Sequence, residues 1–147
     1  MLNFDFHNPT HIAFGQGRIA DLAKLVPAAA KVLILVGGAS AEKTGTLAEV
    51  RAALGERQHA TFSGIEPNPS YETSMKAVAQ IREGGFDFLL AVGGGSVIDA
   101  TKFIAAAVRF EGDDPWAILE KHGRNIKGAM PFGSCLLYTS DAADDMQ

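Results

Sequence analysis

The chain has 147 residues and a formal net charge of −4, enough length for one domain with a core that needs no staple. That acidic balance argues against a nucleic-acid or anionic-membrane surface, and no stretch stays apolar for the roughly 18 residues of a membrane span. The opening MLNFDFHNPT lacks the basic start and apolar core of a signal peptide, and the lone Cys135 permits no internal disulfide, which points to a reducing cytoplasm.

The first stretch, NFDFHNPTHIAFGQG, alternates Phe4 and Phe6, then Ile12 and Phe14, about a turn at Asn8-Pro9. This spacing predicts a β-hairpin or a pair of edge strands. Arg18 to Val26 reads as a helix closed by Pro27. Residues 31–36, KVLILV, form a nearly continuous apolar run, the pattern of a strand buried on both faces of a parallel sheet. It ends at Gly37-Gly38-Ala39-Ser40. A helix follows from Thr44 to Gly55, with Leu47, Val50 and Leu54 on one face, and His59 to Phe62 is a short strand. In the loop GIEPNP, Asn68 is a candidate cap and Pro69 a first helical residue. The helix after it turns Met75, Val78 and Ile81 inward and stops at Gly84-Gly85.

FDFLLAV, residues 86–92, is a second buried strand. Gly93, Gly94, Gly95 and Ser96 end it and open a helix from about Val97 to Val108 that has almost no polar face. A helix apolar all round must be covered on all sides, by a further helix, a partner chain or another domain. Asp113-Asp114-Pro115-Trp116 opens a short helix to about Lys121, and Ala129 to Phe132 reads as a last strand. Strand–helix alternation of this kind predicts a doubly wound, mostly parallel α/β sheet, a Rossmann-like domain with an N-terminal β-hairpin.

Three adjacent glycines weaken any element interior, so their place between a strand and a helix needs a reason. Helix N-termini present unpaired N–H groups and partial positive charge. Glycines let an anion reach those groups, so Gly93 to Ser96 is a candidate phosphate cradle. The stretch is neither G-x-G-x-x-G nor a P-loop. The plainer alternative is a turn with Ser96 and Asp99 as a capping box, and the two readings are compatible. A carboxylate facing a phosphate at about 4 Å would cost on the order of 4 kcal/mol at an effective dielectric of about 20, so Asp99 is expected to point toward the cap or the reactive end of a ligand.

Taken together, FDFHNPTHIAFGQG, GIEPNP, LLAVGGGSVIDATKFIAAA and DPWAIL resemble the iron-containing (group III) alcohol dehydrogenases, in the branch of NADPH-dependent aldehyde reductases and butanol dehydrogenases. The likeness runs from about residue 2 to Gly133. It implies a nicotinamide cofactor on this α/β domain and a divalent metal (Fe or Zn) held by a helical domain that this chain lacks, so no metal is expected here. By resemblance, Gly94, Gly95 and Ser96 hold the diphosphate, Asn68 lines the groove, and Gly37, Gly38 and Ser40 meet the adenosine ribose. Asp99 falls near the nicotinamide ribose or the substrate and is the one catalytic candidate. NAD-preferring relatives tend to carry an aspartate in the turn where this chain has Ala39. Its absence, with Ser40 and Lys43 nearby, favours NADP (NADPH) over NAD on electrostatic grounds.

After Pro131-Phe132-Gly133 the chain leaves the family pattern. LLYTSDAAD resembles a translated sequencing-adaptor tail, so residues 1–133 are read as the dinucleotide-binding domain and 134–147 as a non-native tail, with a short strand and turn as the alternative. His7, His11, His59 and His122 lack the clustered partners of a metal site, and no G-x-S-x-G elbow supports a hydrolase. Charged helix residues such as Glu49, Arg51, Lys76 and Arg82 read as a solvated face. The resulting expectation is the NADP(H)-binding domain of an alcohol dehydrogenase or aldehyde reductase, truncated before its metal domain. Its partners are a nicotinamide cofactor and a small aldehyde or alcohol. The rival readings are a stand-alone dinucleotide-binding module without turnover and a self-associating fragment dimerised through the hairpin.

Overall fold

The computed structural model describes residues 3–137. Its centre is a parallel sheet in the order β2–β1–β3–β4, with β1 at Val32–Val36, β2 at His59–Phe62, β3 at Phe88–Gly93 and β4 at Phe132–Leu136. β1 lies between β2 and β3, with Val32 opposite His59 on one side and Phe88 on the other. All five β1 residues are buried. Their unbroken apolar run follows from this central position, because both faces of the strand are covered.

The two faces divide β1 by alternation. Val32, Ile34 and Val36 pack with α1 (Leu22–Leu25) and α3 (Thr46–Leu54), while Leu33 and Leu35 pack with α4 (Tyr71–Gly84) and α5 (Gly95–Val108). The result is a helix–sheet–helix sandwich with a core on each side. Arg57 fastens the first side. Its guanidinium donates to the carbonyls of Ala23, Val26, Pro27 and Leu54 at 2.8–3.0 Å, satisfying the C-terminal carbonyls that α1 and α3 leave over. α4 ends at Gly85, whose φ of 65° is the left-handed stop that glycine adopts without strain.

The apolar circumference of α5 is covered within the chain itself. α4 and β3 flank it, and Ile118 of α6 (Trp116–Glu120) and Met130 join its cluster. Met130 also donates its amide to the Ala105 carbonyl at 2.9 Å. Tyr71 ties α4 to α6: its hydroxyl donates to Asp114 Oδ1 at 2.8 Å, and its ring meets Trp116 and Phe103 edge-on.

Four expectations need correction. The N-terminal hairpin does not form, since no strand occurs between residues 3 and 17. Phe4, Phe6, Ile12 and Phe14 stand exposed, Phe14 at 92%. A two-stranded hairpin with no sheet or helix to cover its apolar face is marginal at best in water. Arg18–Val26 is split into a 3-10 turn (Arg18–Asp21) and the single-turn α1, and Gly37–Ser40 leads into another single turn, α2 (Ser40–Lys43). Asn68 does not cap α4. It sits at φ 53°, a left-handed conformation that asparagine tolerates, and Ser70 caps instead by accepting from the Thr73 amide at 3.1 Å. The last strand starts at Phe132 and runs across the division drawn at Gly133, with Ser134, Cys135 and Leu136 opposite Ala91, Val92 and Gly93. The rest of the expected tail, residues 138–147, lies outside the described residues.

Candidate functional site

In the order β2–β1–β3–β4 the chain leaves β1 in one direction for β2 and crosses back to place β3 on the other side. The carboxyl ends of β1 and β3 therefore flank a topological switch point, where the connections diverge and leave a crevice. Both strands reach it through glycine. β1 runs into Gly37 and Gly38, and β3 into Gly93, Gly94 and Gly95.

Val97, buried in the first turn of α5, is the shared neighbour of both glycine segments. A Cβ on Gly93 would lie 2.7 Å from Val97 Cγ2, and one on Gly37 would lie 3.4 Å from the same atom and 3.1 Å from the Ile65 carbonyl. These two glycines are packing residues that let α5 settle against the strand ends. Gly95 and Gly38 differ: an added Cβ at either meets nothing within 4 Å. They face open space, where absence of a side chain serves approach from outside.

The N-terminus of α5 lies at this crevice. Gly94 is its N-cap and no side chain caps it, so Ser96 and Asp99 do not form the expected capping box. Ser96 already lies inside the helix, one residue past the start at Gly95, where its side chain cannot take the N-cap role. Among the described residues, the amides of Gly95, Ser96 and Val97 find no acceptor. Three N–H groups at the positive end of a fourteen-residue helix are a ready anion site. Asp99 stands further along on the exposed side, its carboxylate 3.7 Å from Lys102 Nζ.

On the β2 side of the crevice a cleft of ≈ 330 Å³ opens over the ends of β1 and β2. Gly37, Gly38, Ala39, Glu42, Arg51 and Thr61 are among the residues that line it. Of the residues expected at a ribose, Gly37 and Gly38 line it. Ser40 and Asn68 are not among its lining residues, and neither is Lys43. Arg51, which the sequence pattern places on a solvated face, lines this cleft. The cleft reaches it because α3 turns Leu47, Val50 and Leu54 inward, which leaves the guanidinium over the end of β2. Helix periodicity marks which face is outward but not what lies beside it.

Between β2 and α4, the loop is tied to the end of β1 by the Gly64 and Ile65 amides, which donate to the Gly37 and Val36 carbonyls at 3.0 and 3.3 Å, and to α4 by its own side chains. Glu66 accepts from the Ser70 amide and the Thr73 hydroxyl, both at 2.9 Å. These bonds, with that from its own backbone amide as the largest influence, hold its carboxyl down at about 2. Asp114 is likewise lowered, first by the Trp116 amide and then by Tyr71, whose own hydroxyl is raised by that bond. Burial pushes the Cys135 thiol up, the opposite of what a nucleophile needs. Among the described residues no three His, Cys, Asp or Glu side chains come together as a metal site. A dinucleotide does fit what is present, through the open Gly95 and Gly38, the three free amides and the adjoining cleft.

A parallel, doubly wound sheet with a glycine-lined crevice at its switch point defines a Rossmann-like α/β domain. The profile of the iron-containing alcohol dehydrogenases matches residues 9–142, and the chain belongs to that family. It is 54% identical over 138 residues to the NADPH-dependent aldehyde reductase YqhD of Escherichia coli, covering 93% of this chain and 35% of that protein. The substrate- and cofactor-free structure of that reductase superposes with a TM-score of 0.89 over 92% of this chain and 36% of the other. A probable NADH-dependent butanol dehydrogenase 2 of Bacillus subtilis is 41% identical over 147 residues, 98% of this chain and 37% of its own length. The chain thus spans about a third of the length of the curated relatives it matches.

Proposed function

We propose that this chain is the NADP(H)-binding part of an alcohol dehydrogenase or aldehyde reductase, acting in the cytoplasm on a small aldehyde, ketone or alcohol. The bound cofactor supplies or accepts the hydride. The observation that carries the reading is the meeting of two glycine-ended strands at Val97 beside three amides that find no acceptor among the described residues. In this proposal Gly94, Gly95 and Ser96 seat the diphosphate, with Gly93 shaping the turn beneath them. Gly37 and Gly38 receive the adenosine ribose in the cleft over β1 and β2, while Ser40 and Asn68, which do not line that cleft, are assigned to the ribose and the groove by resemblance alone. Asp99 stands toward the nicotinamide half and is the residue proposed on the catalytic side. Ala39 brings no carboxylate to the ribose, which favours NADPH, and the similarity to an NADPH-dependent reductase supports that preference. The division of the chain at about Gly133, with a non-native remainder, stays part of the proposal, adjusted for a strand that reaches Leu136.

Calorimetric titration of the purified chain with NADPH tests it. Saturable binding is expected, and NADPH at about 100 times Kd should raise unfolding stability by ~2.7 kcal/mol. Absence of binding at millimolar cofactor would overturn the reading.

Self-association is a second reading, favoured by the four exposed apolar side chains Phe4, Phe6, Ile12 and Phe14. An extended apolar segment without a partner strand invites pairing with a second copy. Sedimentation with and without NADPH separates the two: assembly that persists without cofactor and is lost on deleting residues 1–14 supports it, and a monomer at high concentration rules it out.

A further inference from the structure

The cleft beside the crevice contains a cation that cofactor choice would feel. Arg51 projects from α3 over the end of β2, where its Nη2 donates to Thr61 Oγ1 at 3.2 Å. Thr61 is a ladder residue, paired with Ile34 of β1, so the guanidinium is held against the sheet. Among the described residues no carboxylate pairs with it. An arginine has five N–H donors in a planar fork, and Thr61 takes one of them. Gly37 to Ala39 line the same cleft and carry no charge, and a Cβ added at Gly38 would meet nothing within 4 Å.

From these contacts we infer that Arg51, positioned by Thr61, selects the cofactor that carries a phosphate on its adenosine ribose. The inference rests on the proposed binding of a nicotinamide dinucleotide with its adenosine half over β1 and β2. The two common nicotinamide cofactors differ there by one 2′-phosphate. A guanidinium fork matches phosphate oxygens bidentately, with charge-assisted bonds stronger than neutral ones. Arg51 therefore takes the place that position suggested for Lys43, which does not line the cleft. Glu42 lines the same cleft and works against the phosphate, so the arginine decides the sign of the local field.

The test is calorimetric binding of NADPH and NADH to the wild-type chain and to Arg51→Leu, Arg51→Lys and Thr61→Val. Arg51→Leu is expected to weaken NADPH by about 10- to 100-fold, the range for loss of a charged hydrogen-bonding partner, and to leave NADH within about twofold. Arg51→Lys restores part of the loss, because charge returns without the fork. Thr61→Val weakens NADPH several-fold, again without moving NADH. An unchanged NADPH-to-NADH ratio in Arg51→Leu overturns the inference while the dinucleotide reading stands. Failure of the wild-type chain to bind either cofactor overturns both.

Discussion

α4 and α5 are both fourteen residues long and both start at the carboxyl edge of the sheet, yet their first turns are supplied differently. At α4 the chain supplies acceptors of its own: Ser70 caps the Thr73 amide, Glu66 accepts from the Ser70 amide and the Thr73 hydroxyl, and Glu72 adds negative charge to the first turn, so that only the Tyr71 and Glu72 amides lack an acceptor among the described residues. At α5 the N-cap is a glycine, the first turn has no acidic residue, and the amides of Gly95, Ser96 and Val97 all lack an acceptor among the described residues. Free N–H groups at a helix start normally find a partner. Where the protein supplies one, it is building its fold. Where it supplies no cap and leaves open space at Gly95, the helix start is accessible to an anion from outside.

Gly95→Asp breaks the contrast most strongly, because it gives α5 the anion that α4 already has. Open space at Gly95 admits the side chain, and a carboxylate in the first turn of a helix stabilises it by about 0.3–1 kcal/mol. The same carboxylate repels a diphosphate, so NADPH affinity should fall by on the order of 100-fold or more while the melting temperature holds or rises. Calorimetry and thermal unfolding read the two effects separately.

Gly93→Ala sharpens the distinction between packing glycines and open ones. Its Cβ would lie 2.7 Å from Val97 Cγ2, and overpacking of this kind costs about 1–3 kcal/mol, measurable by urea denaturation. Val97→Ala in the same chain should recover part of that loss. Ser70→Ala should cost about 1 kcal/mol through the lost cap and leave NADPH affinity unchanged. Ser96→Ala, which removes no cap, should shift stability by less than about 0.5 kcal/mol.

Acid unfolding gives the mildest test. Folding lowers the Glu66 carboxyl from 4.5 to about 2. Its stabilisation is therefore complete above the ordinary value and is lost as the pH falls from about 4.5 through about 2. Glu66→Gln should flatten the stability profile in that window and leave it unchanged near neutrality apart from a constant offset.

The buried strands and the anion-ready helix start were legible because their signals are local. VLILV reads as a central strand from its own residues, and GGGS after an apolar run places open backbone at a strand end. The Asn68 cap failed by two residues because Asn-Pro and Pro-Ser offer equally good local caps, and Glu66 settles the matter through side-chain bonds four and seven residues away. The hairpin failed because period-two alternation reports a surface that wants a partner but not whether one exists. The Arg57 clamp and the place of Arg51 beside the cleft were not legible in the sequence. Their roles depend on carbonyls some thirty residues off and on a strand end brought beside α3, neither of which leaves a pattern in the neighbouring sequence.

Amide NMR of the isotopically labelled chain during NADPH titration addresses the unpaired N–H groups most directly. The account predicts that the resonances of Gly95, Ser96 and Val97 shift with the same saturation curve and gain protection from exchange, while those of Tyr71, Glu72 and Thr73 at the capped helix stay in place. Saturable binding that leaves the three α5 amides unmoved would contradict it.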